Sequence, residues 1–94
     1  MHSMLFVASV LTPSTAGDDP WKANQQLRDH VTNTARQYRG VERLADNVCL
    51  VNMRIDPLPL ALLCNAAHQL GIAFRLLPFA EEPQWLPTSA GPTP

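Results

Sequence analysis

Asp56-Pro57-Leu58-Pro59-Leu60-Ala61-Leu62-Leu63-Cys64-Asn65-Ala66-Ala67-His68-Gln69-Leu70-Gly71 contains both the start and the stop of a helix. Aspartate stands where an N-cap is wanted, and proline in the first turn has a preset φ and lacks an N–H that would have no intrahelical partner. Glycine just past the end suits a left-handed closing residue. Leu60, Leu63, Cys64, Ala67 and Leu70 share one stripe, so the pattern predicts a helix from Pro57 to about Leu70, with Pro59 tolerated in its first turn. The same grammar occurs upstream. Asp19-Pro20 opens a helix that Gly40 closes, and Leu27, Val31, Ala35 and Tyr38 recur on one face between them.

Extended segments surround these two helices. Met4 to Leu11 is a short apolar run ended by Thr12-Pro13, which reads as a strand. Val41 to Ala45 and Val48 to Met53 flank Asp46-Asn47, residues that tolerate positive φ, so the three together predict a β-hairpin. Ile72 to Phe79 reads as a last strand, and the acidic pair Glu81-Glu82 follows. The order strand, helix, strand, strand, helix, strand is the ferredoxin-like βαββαβ pattern. It is an α+β two-layer sandwich in which both helices cover one face of a four-stranded antiparallel sheet. Residues 1–82 form the expected single domain, and 83–94 form a proline-rich, irregular C-terminal tail.

Composition narrows the function classes. The chain has 94 residues, of which 46% are hydrophobic, enough for one core and no second domain. Its net charge of −1 supplies no field that would draw it to nucleic acid or acidic lipid, and neither partner is expected. Arg36, Arg39 and Arg43 cluster where the first helix ends, a position at which cations complement the helix dipole without any ligand. The apolar run at Leu5 to Leu11 is short and no Lys or Arg precedes it, so it is expected to be a strand and not a secretory leader. No stretch approaches the ~20 apolar residues of a membrane span. Cys49 and Cys64 each lie in apolar surroundings, as unpaired thiols of a reducing compartment do, and a cytoplasmic location is expected.

The strands have more apolar surface than two helices can cover. Residues of both parities are apolar in the first strand, in Val48 to Met53 and in the last strand, so one sheet face is left to find a partner. The expected occupant is a second copy of the chain, since closed two-fold dimers are the commonest assemblies, and the competing occupant is the chain's own tail, folded back with Trp85 and Leu86 on that face. The expected interface comprises Phe6, Ala8, Val10, Val51, Met53, Arg75, Leu77 and Phe79, joined by Trp85 of the tail, which also suits contact with another protein. Arg75, set among apolar residues, calls for a carboxylate from Glu81, Glu82 or a second chain.

Catalytic and metal-binding readings have weaker support. Cys64 and His68 are four residues apart on one helix face, but two ligands do not hold zinc and no nucleophile motif surrounds them. Gly17, Asp18 and Asp19 lie in a loop of the kind that contacts ligands and are the candidate small-ligand site, although Asp19 already has a role as helix cap. No catalytic residues, metal ligands or cofactor are assigned. The element order is similar to that of amino-acid-binding regulatory domains and of the small dimeric nuclease-like subunits of CRISPR adaptation. The first resemblance implies ligand binding near Gly17 to Asp19. The second implies an aspartate at the end of the first strand, where this chain has Ser9-Val10-Leu11. The expectation is a non-catalytic homodimeric interaction module, with a ligand-sensing regulatory domain and a nucleic-acid-associated, nuclease-like subunit as alternatives.

Overall fold

The structure, a computed structural model, describes residues 1–10 and 20–86. Its elements are β1 (Ser3–Ala8), α1 (Pro20–Gln37), β2 (Val41–Ala45), β3 (Val48–Asn52), α2 (Leu58–Gln69) and β4 (Phe74–Phe79). The strands form one sheet in the order β2-β3-β1-β4 with every neighbouring pair antiparallel, the ferredoxin-like α+β sandwich. This order follows from chain handedness. Each helix carries the chain over one face and leaves a gap of one strand, which β3 and then β1 fills.

The core lies between that face and the helices. Phe6 and Ala8 of β1 and Cys49 and Val51 of β3 are buried against Leu27 and Val31 of α1 and Leu60, Leu63 and Ala67 of α2. The Phe6 ring stacks on Phe74 of β4 with centroids 5.5 Å apart and planes inclined by 30°. Among the described side chains of α1, Leu27, Val31 and Thr34 are buried, spaced at four and three as a helix stripe requires. Trp21, in the first turn of α1, is 70% exposed.

Glycine closes α2 as the sequence grammar requires. Leu70 is the C-cap, and Gly71 follows with φ +72°. Gly71 N–H donates to the His68 carbonyl at 3.1 Å and Ile72 N–H to that of Ala67 at 2.9 Å, the two bonds of a Schellman motif. Ile72 therefore belongs to the cap, buried against the core, and β4 begins two residues later than the apolar pattern indicates. At the other end, Pro57 holds the N-cap position, while the Asp56 carboxylate accepts from Leu58 N–H at 3.0 Å.

The β2–β3 hairpin forms without positive φ at Asp46 or Asn47, since no described non-glycine residue has one. Asp46 and Asn47 still form the turn, β2 carries a register shift between Arg43 and Ala45 just before it, and the Arg43 guanidinium pairs with the Asp46 carboxylate. Both outer strands are poor templates for a further strand. β2 has five residues and that register break, while β4 carries Pro78 opposite Met4 of β1. Ser9 N–H donates to the Ala73 carbonyl at 2.8 Å, so odd-numbered residues of β4 aim their peptide groups at β1 and even-numbered ones aim outward. Pro78, on the outward set, lacks an N–H on the open edge.

Candidate functional site

The register sorts the sheet into two faces. Toward the helices point Met4, Phe6 and Ala8, with Cys49 and Val51. On the opposite face Glu42, Leu50, Leu5 and Leu77 stand side by side, one from each strand. The next row toward the β2–β3 turn holds Val48, Val7 and Arg75, and the row on the other side holds Asn52, Ser3 and Phe79. No described helix covers this face. Leu5, Val7, Val48 and Leu50 are half-buried by their sheet neighbours, and Leu77 is 53% exposed.

An apolar face open on the side away from the helices is therefore present, but several residues expected on it are elsewhere. Phe6 and Val51 are 0% exposed and Ala8 is 1% exposed, all three in the core. Met53 lies just beyond β3 and packs against the core, its N–H donating to the His2 carbonyl at 2.9 Å. Val10 lies past the end of β1, exposed to solvent. Arg75, Leu77 and Phe79 do lie on the open face. The residues missed are Leu5, Val7, Val48 and Leu50. Their parity was marked by polar companions: Ser3 shares it in β1, Asn52 in β3 and Arg75 in β4, whereas the covered parity of β1 and β3 is wholly apolar.

Arg75 forms no ion pair with Glu81 or Glu82, and geometry explains why. Those acids follow β4 at the Phe79 end, six or more residues on, whereas Arg75 stands near its start. At about 3.4 Å per residue the separation far exceeds an ion-pair distance. Among the described residues neither Arg75 nor Glu42 has an ionic partner.

The chain beyond β4 turns back across the row of Ser3 and Asn52. Glu82, Pro83 and Trp85 stand over a cleft of about 350 Å³ whose other wall includes His2, Ser3, Glu42 and Leu50. Ser3 is buried there, and its Oγ and the His2 Nδ1 share a hydrogen bond of 2.6 Å. Pro83 is half-buried, but Trp85 stays 65% exposed and Leu86 more so. The described part of the tail thus covers one end of the open face and borders Glu42 and Leu50 at the β2 side of the leucine row, while Leu77 at the β4 side stays 53% exposed.

The remaining candidates are less developed. Gly17, Asp18 and Asp19 lie outside the described residues. A cleft of about 190 Å³ at the end of β1, lined by Trp21, Arg28 and Asp46 among others, falls below the ~300 Å³ at which drug-sized ligand sites begin. Cys64 is half-buried and burial raises the pKa of its thiol, which works against nucleophilic activation, while His68 is exposed. The described residues contain no group of three or more His, Cys, Asp or Glu side chains placed to hold a metal. No family model, no curated protein and no solved structure matches the chain.

Proposed function

We propose that this chain is a non-catalytic protein-association module that pairs with a second copy of itself through the open sheet face, with the tail at Trp85 as a further contact for a protein partner. The row Leu5, Leu50 and Leu77, continued by Val7 and Val48, carries this reading. A contiguous apolar patch is uncommon on a soluble monomer and generally marks an interaction surface. Two such faces stack about 10 Å apart in β-sandwiches, so a second copy supplies the layer that is missing here. A cytoplasmic setting fits the two thiols, neither of which is in a disulfide. No described helix is long and apolar enough to cross a membrane.

The test is molar mass by light scattering over a wide dilution series. The wild-type chain is expected to be a dimer that dissociates on dilution. Leu50→Asp is expected to be a monomer with an unchanged circular dichroism spectrum, and Leu62→Asp, on the outer side of α2, is expected to remain dimeric. A wild-type monomer at every concentration, or a folded Leu50→Asp dimer, overturns the proposal.

A further inference from the structure

The described strands place two charged residues on the open face, on opposite edges and of opposite sign. Glu42 lies on β2 in the leucine row, and Arg75 lies on β4 one row nearer the β2–β3 turn. Between them the face is apolar. Three strand spacings of about 4.8 Å separate the two residues across the sheet, too far for them to meet within one chain. Glu82 lines the same cleft as Glu42, which adds negative charge at the β2 side. The surface therefore runs from acidic on one flank to basic on the other, and only some ways of stacking two copies match the flanks.

A two-fold axis lying between stacked sheets whose strands are aligned runs either along the strands or across them. If it runs across, each β2 lies over its partner's β2 and each β4 over β4, so both Glu42 residues share one flank and both Arg75 residues the other. If it runs along the strands, each β4 lies over the partner's β2, and the rows keep their level. Arg75 then faces the partner's β2 one row from Glu42, an offset of about 7 Å along the strands that the long arginine side chain bridges. Two symmetric ion pairs then flank the leucine and valine rows.

Resting on the face-to-face pairing proposed above, we infer that the dimer axis runs along the strands and that Arg75 of each copy pairs with Glu42 of the other. The charges set orientation and exclude the crossed arrangement, while the apolar rows drive association. Arg75 is exposed in the single chain, and covering it in the dimer calls for the counter-ion that Glu42 of the other copy supplies. Arginine suits that role through its bidentate fork.

Charge reversal tests the pairing. Glu42→Arg alone places four cations on the flanks of a dimer and Arg75→Glu alone places four anions, so each is expected to weaken self-association about 100-fold. Mixed in equal amounts, the two variants regain both ion pairs and are expected to form a heterodimer at wild-type strength, seen as the mixed mass in native mass spectrometry. The double variant Glu42→Arg/Arg75→Glu is expected to dimerise again by itself, and Glu42→Gln and Arg75→Gln, which introduce no repulsion, are expected to fall between. If both reversals dimerise as tightly as wild type while Leu50→Asp dissociates, the orientation is wrong and the open face stands. If the reversals are monomeric and their mixture stays monomeric, the pairing is overturned. If Leu50→Asp also leaves the dimer intact, the face reading fails and the orientation with it.

Discussion

Asn47 holds the end of β1 from both its side chain and its backbone: its amide Nδ2 donates to the Ala8 carbonyl, and its own carbonyl accepts from Ala8 N–H at 3.0 Å. The hairpin turn is thereby fastened to the central strand at the point where β1 ends. Asn47→Ala removes the first bond and keeps the second. A loss of about 1 kcal/mol in urea unfolding is expected, with faster amide exchange at Ala8 and Ser9.

Neighbouring residues of β3 are expected to respond oppositely to one change. Val51 lies in the core with no carboxylate-compatible partner, so Val51→Asp puts a charge where there is no water and is expected to unfold the chain. Leu50→Asp meets solvent on the open face and is expected to keep the fold. Circular dichroism and proton spectra of the two variants side by side decide it, and equal disruption by both would contradict the face assignment.

The two positive-φ glycines separate strain from crowding. A methyl group at Gly71 has nothing within 4 Å, so Gly71→Ala carries only the left-handed backbone penalty, about 1 kcal/mol. At Gly40, φ +82°, the added carbon stands 3.1 Å from Ile55 Cβ and Cδ1 and 3.3 Å from Asn52 Cβ. Gly40→Ala is expected to cost measurably more than Gly71→Ala in the same denaturant assay.

Stability should fall in alkali through two thiols, the buried Cys49 most of all and the half-buried Cys64 with it. Burial pushes Cys49 up to about 11 from its ordinary 9.0, with Arg43 opposing only in part. Below pH 9.0 folded and unfolded chains both keep the proton; between 9.0 and about 11 only the unfolded chain releases it, so stability declines as pH rises across that window. Two pH units correspond to about 3 kcal/mol. Cys49→Ala is expected to flatten the decline relative to wild type when unfolding is followed from pH 8 to 11, and an unchanged slope would assign it to other groups.

The element order was legible because the helix signals are local: Pro20, Pro57, Gly40 and Gly71 each act within a turn or two of their own position. The open face was legible as a surplus of apolar strand surface, but not in its identity. Which parity faces the helices depends on pairing between distant strands, and apolar residues at Phe6 and at Leu5 look alike until register joins Leu5 to Leu50 and Leu77. Ile72 hid the register of β4, since a buried residue in a helix cap resembles the first residue of a strand. The sequence marks the open face only through the scattered polar set Ser3, Asn52 and Arg75, each too weak to settle a face alone.

Pro78 has a consequence for size. A sheet that offers an apolar face but whose β4 edge lacks a donor, and whose β2 edge is short and broken in register, can be stacked upon yet is a poor seed for continued strand addition. Growth through the face ends once the face is covered, whereas growth through an edge would regenerate an edge at every step. The proline thus biases the chain toward discrete particles and away from fibres, even with Leu77 of the leucine row 53% exposed.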